Sequence, residues 1–337
     1  CDSQTRVEPE PEEPEQEPMG DPPLEFFYEP MVEDCHSSAT CKTGCQVILS
    51  TGEEYFSRTD LVIPGRGQLH FAMTRTYRSR MEYDGPLGHN WDFSFNEGLF
   101  LQEAGDINRN AGNGYMMGWT RLADGSYQSP PGYYRQLVRR PDGSFLSRSP
   151  DGFKRYYQAD GRLYCWEDRF GNTMLFDYDG RGNLSTVVDP YGREVEFQFQ
   201  TVAGRDRLVR IRDFTGREVV YSYDANGDLV SVRTPVVTGT STGNDFPNGR
   251  LERYEYLSGF SGTQEHLNHN LTKVIRPEES SSGVETIRYE YEQDPASAFF
   301  DRCTAEIIGG TNASGIDAGG VASGAKRSIA YEMLSQA

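Results

Sequence analysis

The sequence predicts an all-β protein whose main part is an array of antiparallel β-hairpin repeats forming a curved or partial-shell sheet. Three observations predict this class. The chain holds 36 glycines and 20 tyrosines, leucines recur every 21 to 24 residues from Leu163 to Leu229, and aromatic-x-aromatic strands lie between them. Turn-forming and aromatic residues in this proportion favour short strands over helices. We expect a small β domain and a disordered acidic tail to precede the array.

Residues 1–34 form the predicted disordered tether. They carry twelve acidic residues and one basic residue, Arg6, so a net charge of −11 out of −18 falls on this segment. Proline and glutamate predominate, and such a segment has too few apolar groups to offset the entropy lost on ordering. An acidic chain without a basic stripe also argues against nucleic acid as a partner, because phosphate binding needs clustered Lys and Arg.

The start Cys1-Asp2-Ser3, followed by the Pro/Glu-rich segment, resembles a mature bacterial lipoprotein. The resemblance implies lipidation of Cys1, export, and a membrane anchor at the bacterial cell surface or outer membrane. Two or more acyl chains would hold the protein firmly, since each buried methylene contributes about 0.8 kcal/mol. The alternative is an arbitrary chain end. No apolar run in the sequence approaches the roughly 20 residues of a membrane span.

Residues 35–46 hold a cysteine cluster, Cys35, Cys41 and Cys45, with five and then three residues between them. In an exported protein, one disulfide among the three is favoured over zinc, because the spacing is not that of a CxxC pair and the fourth ligand would be the adjacent His36. Two further cysteines, at 165 and 303, are interpreted as buried thiols or as a partner for the odd cysteine.

Residues 47–103 form the predicted pre-repeat β domain, in which Leu69, Phe71 and Met73 alternate as expected for a half-buried strand. Four elements follow one another here: TGEE, DLVIPG, RTYRSR and GPLGHNW. In this order they resemble the domain that precedes the repeats in Rhs and related YD-repeat proteins. The resemblance covers about residues 47–101.

Residues 104–299 form the predicted array, in which each unit is one hairpin: an opening leucine, a strand, a tight turn, and an aromatic-x-aromatic strand. This pattern resembles the YD repeat. Long loops near 235–250 and 258–270 interrupt the later units. The residues that define the repeat are Leu163, Gly171, Tyr178, Asp179, Leu184, Gly192, Phe199, Leu208, Gly216, Tyr223, Asp224 and Leu229.

Residues 300–337 are rich in Gly, Ala and Ser, and we interpret them as a truncated end. The family resemblance implies a sheet that winds into a shell around a hollow volume, with toxin cargo after a C-terminal core motif. Neither cargo nor core motif is visible in this sequence. A stand-alone surface protein is the alternative.

The stretch FDYDGRGNL, which includes Asp179 and Gly182, has the outline of a calcium loop. Counted from Asp177, however, Arg181 falls at the fifth position and Val188 at the twelfth, where calcium loops carry ligands. The related SYDANGDL, with Asp224 at its centre, is closer to a ligand set. A strand rather than a helix follows Gly180 and Gly182, so a phosphate loop is excluded. We expect turns between hairpins, in which these two glycines supply positive φ angles.

Motifs for hydrolytic chemistry are weak in the sequence: HExxH does not occur, and the one GxSxG match, GTSTG at residues 239–243, lies in a long polar loop rather than between a strand and a helix. His266 and His269 are three residues apart and could form a metal pair on a helix, but a polar loop between repeats is favoured. We therefore expect a non-enzymatic protein with no catalytic residues, no metal site and no cofactor.

The function expected from the sequence is that of an exported scaffold, which encloses, displays or docks another polypeptide such as a toxin. The alternative is a cell-surface adhesin that binds glycans on the aromatic face of the sheet.

Overall fold

A computed structural model describes residues 47–48, 50–241, 245–277, 285–309, 315–316 and 322–332. This part of the chain contains 26 β-strands and a 3-10 helix, Gly262–Leu267. The all-β class and the antiparallel hairpin array are therefore confirmed. The tether with Cys1, and the cluster of Cys35, Cys41 and Cys45, lie outside the described residues.

The pre-repeat segment forms a four-stranded antiparallel sheet with the strand order β1-β2-β3-β6. Its strands are β1 (Val47–Ile48), β2 (Glu53–Arg66), β3 (Leu69–Arg78) and β6 (Trp91–Phe93). A short ribbon, β4 (Asp84–Gly85) and β5 (Gly88–His89), projects between β3 and β6. Along β3, every second side chain from Leu69 to Tyr77 is buried, as the period of two predicts, and all of these except Arg75 are apolar.

A second four-stranded sheet follows, in the order β10-β9-β8-β7. It is made by β7 (Gly98–Leu101), β8 (Ile107–Asn110), β9 (Met116–Arg121) and β10 (Tyr127–Gln128). It links the pre-repeat sheet to the array, so the long sheet itself begins only at Gln136.

The described part of the array is a single sheet of sixteen strands that curls into a half-barrel. Neighbours in sequence are neighbours in the sheet from β11 to β24, and the last two strands follow in the order β26-β25. The strands are β11 (Gln136–Arg139), β12 (Phe145–Arg148), β13 (Lys154–Tyr157), β14 (Leu163–Glu167), β15 (Thr173–Tyr178), β16 (Leu184–Val188), β17 (Glu194–Val202), β18 (Arg205–Asp213), β19 (Glu218–Tyr223), β20 (Leu229–Arg233), β21 (Leu251–Tyr256), β22 (Leu271–Ile275), β23 (Ile287–Tyr291), β24 (Cys303–Gly309), β25 (Gly315–Ile316) and β26 (Ala322–Ser328).

A β-bulge recurs where one unit ends and the next begins. At each bulge the last aromatic residue of a unit pairs with the residue that opens the following strand, and the register shifts by one residue. The six pairs are Tyr157–Leu163, Tyr178–Leu184, Phe199–Leu208, Tyr223–Leu229, Tyr256–Leu271 and Tyr291–Cys303. Cys303 therefore occupies an opening position, which explains why its side chain is fully buried.

The turns within and between hairpins share one shape, which an aspartate holds. The Asp179 Oδ1 atom accepts hydrogen bonds from the backbone N–H groups of Arg181 and Asn183, both at 2.9 Å. The same two contacts, to the second and fourth residues onward, occur at Asp168, Asp189, Asp213 and Asp224. The carboxylates of the calcium-like stretches thus hold the backbone of turns, as expected from the sequence.

A positive φ angle is required at the fourth position of each such turn, and glycine supplies it. Gly182 has φ +89° and the equivalent Gly227 has +87°. We expected both glycines of FDYDGRGNL to serve in this way, and for Gly180 this is wrong, because its φ is not in the positive region. Only the fourth position needs the left-handed conformation that a Cβ atom disfavours.

One hydrophobic core lies between the pre-repeat sheet and the face of the long sheet turned towards it. Phe71 and Phe95 of the pre-repeat segment both contact Phe197 of β17, with ring centroids 6.3 and 6.2 Å apart. Phe56 meets Tyr254 of β21 at 6.1 Å. The pre-repeat segment is therefore part of the same packed body as the array.

No helix among the described residues has the length and apolar character to cross a membrane.

Two glycine variants test the turn geometry. A Cβ atom on Gly161 (φ +92°) would lie 2.0 Å from the Leu99 carbonyl oxygen, whereas one on Gly192 (φ +74°) would meet nothing within 4 Å. We expect Gly192→Ala to lose about 1–2 kcal/mol through its φ alone. Gly161→Ala should lose about 1–3 kcal/mol more because of the added overlap. Urea unfolding measures both; equal losses would contradict this packing.

Candidate functional site

The leucines and aromatic residues among the repeat-defining residues lie on the inner face of the long sheet, which faces the pre-repeat segment. The other repeat-defining residues lie in the turns: Gly171, Asp179, Gly192, Gly216 and Asp224. The four opening leucines are buried, with Leu163, Leu208 and Leu229 fully so. The first aromatic residues of the units, such as Phe176 and Tyr221, are buried against that segment as well. The structure thus brings the predicted repeat residues together as a packing surface.

The second aromatic residue of a unit is a tyrosine for a specific reason in the later units. The hydroxyl of Tyr223 donates to the carbonyl oxygen of Leu208 at 2.6 Å, and that of Tyr256 donates to Leu229 at 2.7 Å. Tyr291 repeats the contact with Leu271 at 2.9 Å. Each of these tyrosines therefore bonds to the opening residue of its own unit and links the two strands of that hairpin.

The aromatic face that was considered for glycan binding is covered. Tyr221 donates to the Asp60 carboxylate at 3.0 Å, and the Trp91 indole N–H donates to the Tyr256 hydroxyl at 2.8 Å. Phe197 lies against three phenylalanine rings of the pre-repeat segment. The rings of the aromatic-x-aromatic strands are used for packing, so a sugar cannot stack on them without displacing that segment.

Arg75 is the centre of a buried ionic network between the two sheets. Its Nε atom lies 2.9 Å from Asp60 Oδ2, and its Nη2 atom lies 2.8 Å from Glu252 Oε2 on β21. Tyr254 donates to the same Glu252 oxygen at 2.5 Å. Burial favours the neutral acid, but Arg75 and Arg58 outweigh it and hold the pKa of Glu252 below its ordinary value.

Sequence reasoning missed this network, although a signal was present. Arg75 lies in period two with Phe71, Met73 and Tyr77, which places it on the buried face of β3. On β21, Glu252 is two residues from the buried Tyr254 and therefore lies on the same buried face. A charged residue in phase with buried apolar residues predicts an ion pair in the core.

A second buried network ties the beginning of the array to the linking sheet. Arg109 Nε and Arg155 Nε lie 3.0 and 3.2 Å from Glu97 Oε1, and the Tyr157 hydroxyl donates to the same carboxylate. The two guanidinium groups hold the pKa of Glu97 below its ordinary value although burial opposes this. A cleft of about 280 Å³ opens beside this network on the polar face of β2 and β3.

Glu54 is buried and forms no ion pair with any residue that the structure describes. Its Oε2 atom accepts a hydrogen bond from the Tyr291 hydroxyl at 3.3 Å, and its Oε1 atom has no hydrogen-bond partner among the described residues. Burial raises the pKa of this carboxyl well above its ordinary value. Glu54 therefore favours the protonated form in the folded protein.

The two histidines of EHLNHN do not form a pair. His266, in the 3-10 helix, lies 3.2 Å from Glu82. His269 instead approaches Asp228, with its Nδ1 atom 2.8 Å from Oδ1, and its ring stacks on that of His89. His89, Asp228 and His269 thus form a group whose ligand atoms lie within 4.8 Å of one another. This was not foreseen, because the three residues come from three distant segments.

Exposed aromatic rings lie instead on the tight turns within the hairpins. Phe170, Tyr191 and Phe214 are 65%, 60% and 49% exposed. Arg193 lies over both of the latter two rings, at 5.0 and 4.9 Å from their centroids. We call Phe170, Tyr191, Phe214 and Arg193 the turn ridge. Sequence reasoning treated these positions only as turns.

Residues 44–116 match a family model described as Domain of unknown function (DUF6531). Over 202 residues the chain is 30% identical to Double-stranded DNA deaminase toxin A of Burkholderia cenocepacia (strain H111). This alignment covers 56% of this chain and 13% of that protein. Over 199 residues the chain is 26% identical to tRNA nuclease WapA of Bacillus subtilis (strain 168), covering 54% of this chain and 8% of the relative.

The comparison with solved structures found one described as TcdB2-TccC3 without hypervariable C-terminal region, with a TM-score of 0.34 and a sequence identity of 11%. The superposition covers 79% of this chain and 14% of the chain in that structure. The chain spans about a tenth of the length of the curated relatives that it matches. The similarities in sequence support the expected association with Rhs-like toxin proteins, at the level of a shared segment.

The variant Glu54→Gln tests the buried carboxyl. The pKa of Glu54 is higher in the folded protein than in the unfolded chain. As the pH rises above the pKa of the unfolded chain, Glu54 ionises in the unfolded state first, and the stability of the folded protein therefore falls. We expect Glu54→Gln to gain stability relative to the parent as pH rises from 4 to 8, with a limiting slope of about 1.4 kcal/mol per pH unit.

Denaturant unfolding across this pH range measures the difference. The control is Glu53→Gln, which removes the negative charge and one of the two oxygens that accept hydrogen bonds from Arg78, and should lower stability at neutral pH. A gain from Glu54→Gln that does not change with pH would contradict the assignment.

Proposed function

We propose that this chain is a structural segment of a toxin-associated β-shell, which encloses, displays or docks another polypeptide. The observation that carries the proposal is the use of the inner face: the pre-repeat segment and the array share one core, fixed by the Arg75 and Glu97 networks. A sheet built and sealed in this way is suited to a rigid wall. The similarity to segments of toxin proteins supports the same role.

The proposal gives the chain no enzymatic role of its own. The two relatives are named as a deaminase toxin and a tRNA nuclease, but this chain matches only 13% and 8% of their lengths. Among the described residues, Glu97 and Glu252 form ion pairs with arginines, and the turn aspartates accept hydrogen bonds from backbone N–H groups. These carboxylates serve the fold, which supports a scaffold.

The surface that we assign to polypeptide docking is the turn ridge. Its rings are exposed at the ends of successive hairpins, and Arg193 lies between two of them. Aromatic and arginine side chains are the residues that contribute most at protein interfaces. A glycan adhesin is the second candidate, because the same exposed rings could stack on sugars.

Assays on nucleic acids test the non-enzymatic part of this proposal. We expect the purified chain to leave double-stranded DNA unmodified and tRNA uncleaved under conditions in which a control deaminase and a control nuclease act. Deamination or cleavage that follows the chain through repeated purification, and that is lost on heat unfolding, would contradict a scaffold role.

Binding to an unfolded, fluorescently labelled polypeptide, followed by anisotropy, tests the docking surface, with a glycan array in parallel. We expect saturable polypeptide binding that weakens at least about tenfold when Phe170, Tyr191 and Phe214 are all changed to Ser. Tyr134→Ser, which removes an 81% exposed ring outside the turn ridge, is the matched control and should change nothing. Glycan binding lost in the triple variant, without polypeptide binding, would favour the adhesin.

We also propose that Cys1 carries the lipid anchor, with the acidic tether of residues 1–34 as a spacer. The Pro/Glu-rich composition of residues 2–34 supports this, because like charges and prolines keep a segment extended and solvated. In cells that express the whole gene, we expect incorporation of a labelled fatty acid that Cys1→Ser abolishes. Equal labelling of the variant would contradict the anchor.

A further inference from the structure

We propose that His89, Asp228 and His269 form a binding site for a divalent transition-metal ion such as Zn²⁺, Co²⁺ or Ni²⁺. Two imidazoles and one carboxylate are a ligand set that these ions prefer, whereas Ca²⁺ and Mg²⁺ take mainly oxygen ligands. The three ligand atoms lie within 4.8 Å of one another. The site is independent of the proposed docking role.

Two of the three ligands already stand at a suitable separation. The Nδ1 atom of His269 lies 2.8 and 3.0 Å from the two carboxylate oxygens of Asp228. Ligands each roughly 2.1 Å from an ion are about 3.0 Å apart in octahedral geometry and about 3.4 Å apart in tetrahedral geometry. An ion can therefore replace the hydrogen bond between these residues with little movement of either.

The third ligand, His89, stacks on His269 with ring centroids 3.6 Å apart and planes within 10° of parallel. Its side chain is 23% exposed, so it has room to tilt until one nitrogen faces the ion.

The backbones that carry the ligands are fixed. Asp228 ends a turn in which its N–H group donates to Asp224 Oδ1 at 2.9 Å. The carbonyl oxygen of His269 accepts from the Tyr77 hydroxyl at 3.0 Å, and its N–H group donates to Leu257 at 3.0 Å. His269 also has φ +70°, a conformation that non-glycine residues seldom adopt.

The surrounding charge is compatible with a cation. Asp84 Oδ1 lies 3.8 Å from His89 Nε2, and Asp228 is almost wholly buried. Arg207 is the opposing charge nearby, but its guanidinium lies against Asp84, at 2.5 Å. A bound ion would connect the β4–β5 ribbon, the turn before β20 and the loop before β22, and so join the pre-repeat segment to two units of the array.

The test uses the full chain with Cys1, Cys35, Cys41 and Cys45 changed to Ser, so that the thiols outside the buried positions do not compete for metal. Titration calorimetry with Zn²⁺, and visible absorption with Co²⁺, should show one site per chain. Thermal unfolding with excess Zn²⁺ should give a melting temperature raised by about 5 °C.

His89→Gln and Asp228→Asn should each weaken binding at least about tenfold and remove the rise in melting temperature. His266→Gln, which changes a nearby histidine outside the group, should leave both unchanged. His89→Asn is a second variant in case one of the others fails to fold, as judged by circular dichroism. Absence of one-site binding in the parent, or equal affinity in His89→Gln and the parent, would overturn the proposal.

Discussion

The contact between the pre-repeat sheet and the inner face of the repeat sheet is the constraint on which the other features depend. A hairpin array puts its apolar residues on one face of the sheet. Neighbouring hairpins pair edge to edge and so leave that apolar face uncovered. That face needs a cover, and β2, β3 and β6 provide it across the array, from Phe176 on β15 to Tyr291 on β23. The cover is polar at its centre, because Arg75 pairs with carboxylates on both sheets.

The units of the array are held together by a small set of repeated contacts. The aspartate turns fix the length of each hairpin, the bulges reset the register, and the tyrosine hydroxyls bond the second strand of a unit to its own opening residue. Because each unit contacts mainly its neighbours, the sheet by itself would unfold gradually, as other repeat proteins do. The pre-repeat sheet spans several units at once, and this makes their folding interdependent.

Local features of this fold could be predicted from the sequence, and long-range ones could not. Alternation and turn residues predicted the strands, the opening leucines and the turn role of Asp179, since these depend on neighbouring residues. Cys303 was not recognised as an opening residue, because its side chain differs although its bulge is the same. The Arg75–Glu252 contact joins residues 177 positions apart. A period of two places each of them on a buried face but does not identify the partner.

The central claim is that the array needs the pre-repeat sheet in order to fold. The most direct measurement compares urea unfolding of residues 104–337 with that of residues 47–337, followed by circular dichroism and by a dye that binds exposed apolar surface. We expect a cooperative transition for the longer chain, and for the shorter one a broad transition with strong dye binding in the absence of urea. A cooperative transition of the shorter chain with the same midpoint and no dye binding would contradict the account.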